Sequence, residues 1–123
     1  MILVDTAIWI DHFHRAEPRL VSLLQDAAVC AHPMVVGELA LGSLRNRSEV
    51  LNLLGHLPEV PLATHREVLD FVDVHRLHGV GLSLVDAHLL AALRLSETAL
   101  LWTRDQRLRL AAGRLDVLAD RLN

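Results

Sequence analysis

The apolar residues of this chain fall into two alternating kinds of segment, and that alternation restricts the fold more than any other feature. Ile2-Leu3-Val4, Val29-Cys30-Ala31 and Ala99-Leu100-Leu101-Trp102 are short and continuously apolar. Runs of this length without polar alternation read as strands buried on both faces. The stretches between them carry helical periodicity and are too long for hairpin turns. Strands separated by helices pair in parallel, so the expected fold class is α/β: three layers, α/β/α, around a central, mostly parallel sheet.

The helical stretches have recognisable starts. Spacing of Ile8, Trp9 and Phe13 predicts a helix directly after Asp5, and Pro18 opens a second one carrying Leu20, Leu23 and Leu24. Residues 33 to about 45 keep helical spacing. Asn46 or Ser48 caps the next helix, which carries Val50, Leu51, Leu54 and Leu57. Thr64 with Glu67, and Ser83 with Asp86, form two capping boxes. The first opens a helix through Val68, Phe71, Val72 and His75, ended by Gly79 and Gly81. The second opens one through Leu89, Leu90 and Leu93 toward Glu97. Val60-Pro61-Leu62 is expected as an edge strand because Pro61 forbids a central one. Residues 115–118 are expected as a last short strand.

Composition narrows the function. The 123 residues make one domain, residues 1–123, and 52% hydrophobic with 22% charged content excludes disorder. The longest stretch without Asp, Glu, Lys or Arg is residues 27–37, only eleven long, against about twenty for a bilayer span. No basic region precedes an apolar run at the N-terminus, so no signal peptide is expected. Cys30 is the only cysteine, which excludes an internal disulfide and a cysteine zinc site. The expected location is cytoplasmic, with no membrane contact. All 12 basic residues are arginine. Without lysine there is no P-loop and no Schiff-base chemistry. A net charge of −3 gives no general attraction to nucleic acid. Any nucleic-acid chemistry must rest on local basic patches and metal ions.

In a parallel sheet, ligands gather beyond the carboxyl ends of the strands. Asp5 follows the first strand and Asp105 follows the Trp102 strand. Either can simply cap the next helix, and Asp86 is already explained by its capping box. Glu38 is harder to explain plainly. It interrupts an apolar stretch, with Met34, Val35, Leu41 and Gly42 as its helical neighbours, and would need a partner such as Arg45, exposure, or a metal. Together, four carboxylates suit a hard cation such as Mg²⁺ or Mn²⁺. Two like charges 4 Å apart repel by about 4 kcal/mol at an effective dielectric of 20. Four in one pocket therefore demand cations or protonation.

The segments Ile2-Leu3-Val4-Asp5-Thr6, Gly37-Glu38-Leu39 with Gly42, Leu82-Ser83-Leu84-Val85-Asp86 and Trp102-Thr103-Arg104-Asp105 occur in an order and spacing that resembles PIN-domain ribonucleases of the VapC toxin type. The likeness runs over nearly the whole chain. It implies a PIN-like α/β/α domain in which Asp5, Glu38, Asp86 and Asp105 bind Mg²⁺, or Mn²⁺ in its place, and catalyse RNA cleavage. Thr6, Thr103 and Arg104 would support the pocket or hold substrate. It further implies the toxin of a toxin–antitoxin pair, which inhibits translation by cleaving tRNA or rRNA, forms a homodimer, and is silenced by a cognate antitoxin. Ala7 departs from the family, where Ser or Thr is common, and removes a hydroxyl but no metal ligand.

Other residues read more plainly. The eight histidines are expected to be solvated or capping; His88 is the one nearest the pocket, and His75 with His78 lack the rest of a zinc set. Arg104 and Arg107 can hold phosphates bidentately, whereas Arg109 and Arg121 read as a solvated helix face. Only Trp9, Trp102, Phe13 and Phe71 are aromatic, too few for extended base stacking. The apolar helix faces around Trp9, Leu41, Leu44 and Leu54 offer surface for a second copy or an antitoxin segment. A phosphoacceptor receiver domain would need an N-terminal acidic pair and a late lysine, both missing. A haloacid-dehalogenase-type phosphatase would need an acid where Ala7 stands. A catalytically silent PIN-like binding module remains as the alternative.

Overall fold

A computed structural model describes residues 1–122. The order of elements is β1 (Ile2–Val4), α1 (Thr6–His14), α2 (Pro18–Gln25), β2 (Val29–Cys30), α3 (Pro33–Leu41), α4 (Arg47–Gly55), α5 (His65–His75), α6 (Leu84–Leu95), β3 (Leu100–Trp102) and α7 (Gln106–Arg114), with a closing 3-10 turn at Asp120–Leu122. The strands form a parallel sheet in the order β2-β1-β3. Ile2 lies opposite Val29 on one side and Leu100 on the other, and Val4 opposite Trp102.

Successive strand residues point to opposite faces. Leu3 and Val4 are both fully buried, as are Leu101 and Trp102, so both faces of the sheet are covered, as the apolar runs require. α6 has no polar stripe through its middle: Ala87 to Leu93 are buried without interruption, the pattern of a helix packed on several sides. It contacts α3 and α5. The chain runs outward from β1 to β2, then crosses back to lay β3 on the other side of β1. That reversal opens a crevice at the carboxyl ends of β1 and β3, where Asp5 and Thr103 follow directly. The two ends are tied together, since the Asp5 amide donates to the Trp102 carbonyl at 3.0 Å.

Both capping boxes form as the sequence predicts, with Thr64–Glu67 opening α5 and Ser83–Asp86 opening α6. Several boundaries differ. The edge strand expected at residues 60–62 contracts to one bridge between Glu59 and Ala31, and that expected at residues 115–118 to one bridge between Leu118 and Leu101. Pro58 and Pro61 flank the first site and cannot donate to a ladder; Asp116 turns the chain with φ 58° before the second. α3 stops at Leu41, where the Gly42 amide bonds back to Leu39. α5 ends on Arg76, itself left-handed at φ 53°, while Gly79 and Gly81 lie in the loop beyond. Asn46 takes the cap position of α4 without a side-chain bond. Trp9 and Leu54 belong to the core rather than to an open apolar face, whereas Leu41 is 91% exposed.

The histidines divide. His12 and His32 accept backbone amides of Glu17 and Met34, each at 3.0 Å, His32 as the N-cap of α3. His88, however, is buried between the rings of His32 and His65, with centroids at 6.3 and 6.1 Å. Among the described residues its Nε2 has no hydrogen-bond partner. Burial, and then the neighbouring His88, push the His32 imidazole down to about 4; burial and then His65 lower that of His88. A base held neutral in the fold but protonated near pH 6.5 when unfolded supports stability above that pH, and the support is lost as pH falls from about 6.5 toward 4. Thermal melts between pH 7 and 4.5 are expected to show a decline. His32→Asn, which retains a capping acceptor but cannot titrate, should flatten it by about 2 kcal/mol at the acid end.

Candidate metal-dependent active site

Asp5 stands at the centre of the crevice. It ends β1 and caps α1, and both of its carboxylate oxygens are engaged. Oδ1 accepts the Thr6 amide at 2.8 Å and Oδ2 accepts the Thr103 hydroxyl at 2.7 Å. Thr103 is fully buried, and its hydroxyl in turn accepts the Asp105 amide at 3.1 Å. On the other side, the Thr6 hydroxyl donates to Glu38 Oε1 at 2.6 Å. A continuous line of hydrogen bonds thus joins Glu38, Thr6, Asp5, Thr103 and the backbone of Asp105. Thr6 and Thr103 are its struts.

Asp86 reaches the same place from α6. Half-buried, it caps its own helix by accepting the Ser83 amide at 3.0 Å. Its charge still reaches Asp5. Burial raises the Asp5 carboxyl above its ordinary range; the bonds from Thr103 and Thr6 pull it back, and the charges of Asp86 and Glu38 push it up again. Asp5, Glu38 and Asp86 therefore form one electrostatic group. Asp105 is joined to it through Thr103, but its exposed carboxylate caps α7, accepting the Leu108 amide at 2.9 Å, and is not among the charges acting on Asp5. Capping and site membership coexist, because a carboxylate has about four acceptor positions and each cap occupies one.

Two expectations change. Glu38 is exposed rather than held in the apolar stretch around it; Val35 and Leu39 take the buried face of α3. Its partner is Thr6, and no Glu38–Arg45 salt bridge occurs among the described residues. The second is Arg109, which is not a solvated surface residue, since it is half-buried and donates to the Thr103 carbonyl at 3.1 Å. Arg104 is exposed but anchored: it pairs with Asp11 at 3.2 Å and Glu17 at 2.8 Å, and lies 5.6 Å above the Trp102 ring. Arg107 lies across the loop before α6. A Cβ on Gly81, whose φ is +85°, would stand 2.6 Å from Arg107 Nη1.

The donor set is carboxylate oxygen throughout, the chemistry preferred by Mg²⁺ and Mn²⁺. Among the described residues no three His, Cys, Asp or Glu side chains enclose an ion by themselves. A cation held here would therefore need water and substrate oxygens to complete its shell. Burial, and after it the charges of Asp86 and Glu38, raise the Asp5 carboxyl, and a cation would relieve both.

With this geometry in hand, the kinship of the chain is clear. Residues 2–114 match the PIN domain family, and the chain belongs to that family, on its VapC branch. Among curated proteins it is 51% identical over 113 residues to Ribonuclease VapC32 of Mycobacterium tuberculosis strain CDC 1551 / Oshkosh, covering 92% of this chain and 91% of that protein. The same figures hold for Ribonuclease VapC32 of strain ATCC 25618 / H37Rv. Among the described residues no helix is long and apolar enough to cross a membrane.

Because its carboxyl is raised in the fold, Asp5 opposes folding once the pH exceeds its unfolded value, and the cost is present at neutral pH. Mg²⁺ or Mn²⁺ is expected to raise Tm by relieving it. Asp5→Asn combined with Asp86→Asn should abolish that increase, although an asparagine at the first position keeps only one of the two acceptors that Thr6 and Thr103 use. An undiminished metal shift in the double variant would place the ion elsewhere.

Proposed function

We propose that this chain is the toxin of a toxin–antitoxin pair, a Mg²⁺- or Mn²⁺-dependent endoribonuclease that hydrolyses phosphodiester bonds of tRNA or rRNA and so inhibits translation. The observation that carries the reading is the line of hydrogen bonds from Glu38 to Asp105 across the carboxyl end of the sheet, with Asp86 close enough to raise Asp5. Kinship to a ribonuclease of the VapC type supports it.

Asp5, Glu38, Asp86 and Asp105 would hold the cation. When bound, such a cation polarises a phosphoryl oxygen and makes water more acidic. The remaining work falls to the chain. Thr6 and Thr103 fix Asp5 so that its charge is already aimed when substrate arrives, which removes reorganisation from the reaction. Glu38 has one oxygen held by Thr6 and the other without a protein donor among the described residues. That exposed oxygen would orient the attacking water and accept its proton. Hydrolysis consumes that water, breaks one P–O bond, and leaves the departing oxygen protonated. No side-chain nucleophile is required.

The cognate antitoxin would cover this edge. A groove of about 880 Å³ between α1, α3 and α4 has Ile10, Phe13, Leu39 and Leu44 along it and Glu38 within it. An apolar segment seated there would reach Glu38 directly. A homodimer and a cytoplasmic location belong to the same reading.

Glu38→Gln keeps the side chain's shape and removes its charge. Single-turnover RNA cleavage is expected to fall by about 10²-fold or more, the usual worth of an acid–base or electrostatic group, while Tm holds or rises. Growth arrest on expression without the antitoxin should be lost in parallel. A folded, fully active Glu38→Gln protein would remove Glu38 from the site. A folded wild-type protein with no metal-dependent cleavage would favour the silent binding module.

A further inference from the structure

We propose that a basic pocket on the α2–α7 flank of the acidic crevice holds phosphates of the RNA strand next to the one being cleaved. The identity of the ligand as RNA rests on the nuclease reading; the anion site itself does not. The pocket, about 500 Å³, is lined by Glu17, Arg19, Arg104, Gln106, Arg109 and Leu122. Among the described residues, its lining holds three arginines and one carboxylate. That carboxylate, Glu17, is already committed to Arg104 at 2.8 Å. Among the described residues neither Arg19 nor Arg109 makes a salt bridge, so their charge is the local excess that a chain of net charge −3 otherwise lacks.

The guanidinium groups are held before any ligand arrives. Arg104 is fixed by Asp11, Glu17 and the Trp102 ring, Arg109 by the Thr103 carbonyl, and Arg19 by the Arg121 carbonyl at 3.0 Å. Each guanidinium carries five N–H donors, and these bonds engage only one or two of them. Groups held in this way lose little entropy on binding and present a planar fork that fits phosphate oxygens in pairs. Among the described residues, Leu122 is the one apolar side chain in a lining otherwise made of arginines, Glu17 and Gln106. A volume of this size holds a nucleotide-sized group.

Position completes the argument. Thr103 serves both sites, its hydroxyl on Asp5 and its carbonyl on Arg109. Asp11, which anchors Arg104, lies about 9 Å along α1 from Asp5 at the helical rise, within reach of a phosphate roughly one or two nucleotides along a strand. The acids of the crevice repel the polyanion they are placed to act on. Arginines just beyond them offset that repulsion without entering the acidic group.

The test uses the wild-type chain in EDTA, with a fluorescein-labelled oligouridylate of about twelve nucleotides as probe. The ¹⁵N signals of the Arg19 and Arg109 side chains should move on titration with this RNA, and less with uridine 5′-monophosphate. Arg19→Gln should weaken oligouridylate binding by about 3- to 10-fold at low salt and make the log–log salt dependence shallower by about 0.7, one phosphate's share. Arg19→Lys should recover most of the slope. Should Arg19→Gln fold poorly, the wild-type signals and Arg19→Lys still decide. Absent binding, or binding that leaves both arginine signals unmoved, overturns the proposal. So does a hexaglutamate peptide that moves them where RNA does not, because the pocket would then belong to an acidic protein segment. Metal-dependent cleavage measured alongside reads the nuclease assignment separately: cleavage without arginine shifts sinks only the pocket, and arginine shifts without cleavage sink only the nuclease.

Discussion

Asp5 sits where the central strand ends, with one carboxylate oxygen on the Thr6 amide, the other on the Thr103 hydroxyl, and its own amide on the Trp102 carbonyl. Those three bonds join β1, α1 and β3 at one point. They also let a carboxylate survive largely withdrawn from water, since a buried charge without donors would be far more costly. The residual penalty is visible in its raised carboxyl, and Asp86 and Glu38 add to it. A fold that gathers acids in this way gives up some stability at neutral pH. The chain offsets the cost with an uninterrupted apolar core, in which Leu3, Val4, Leu101 and Trp102 are all fully buried beneath the site.

The same bonds explain why a three-residue strand suffices. β1 is too short to be stable alone, but it is paired on both sides and covered on both faces. Thr103 has three roles in this arrangement: it ends β3, steadies Asp5, and offers its carbonyl to Arg109. A threonine is needed because a buried hydroxyl can accept from the Asp105 amide and donate to Asp5 at once. Valine would match its shape and leave both groups unpaired.

Much of this was legible in the sequence for local reasons. The strands are continuous apolar runs, and the capping boxes of α5 and α6 are fixed by residues three apart, so neither depends on distant packing. Asp5, Asp86 and Asp105 stand out by their place at element starts, where each accepts a backbone amide. What the sequence concealed is relational. Glu38 was singled out for sitting among apolar residues, yet it is exposed, and its partner Thr6 lies 32 residues away. The expected edge strands shrank to single bridges, since pairing there depends on where prolines and the left-handed Asp116 direct the chain. His32 and His88 meet only because α3 packs on α6. The one local signal was His32 before Pro33, a cap position. The anchoring of Arg104 was hidden for the same reason, since Asp11 and Glu17 come from the opposite end of the chain, whereas Arg109 is half-buried through a nearer bond, to the Thr103 carbonyl.

The absence of lysine has a structural consequence at this edge. An ammonium on a flexible stem beside four carboxylates would fold back onto them and quench the group. A guanidinium can instead be bound on one side by Glu17 or by a backbone carbonyl and still present N–H donors on the other. Arg104 and Arg109 do this within six residues of each other, both anchored away from Asp5. Negative and positive charge thus remain separate across Thr103, although β1 and β3 bring them to adjacent strand ends. That separation, rather than net charge, is what leaves a weakly acidic chain with a crevice of carboxylates and a flank of arginines side by side.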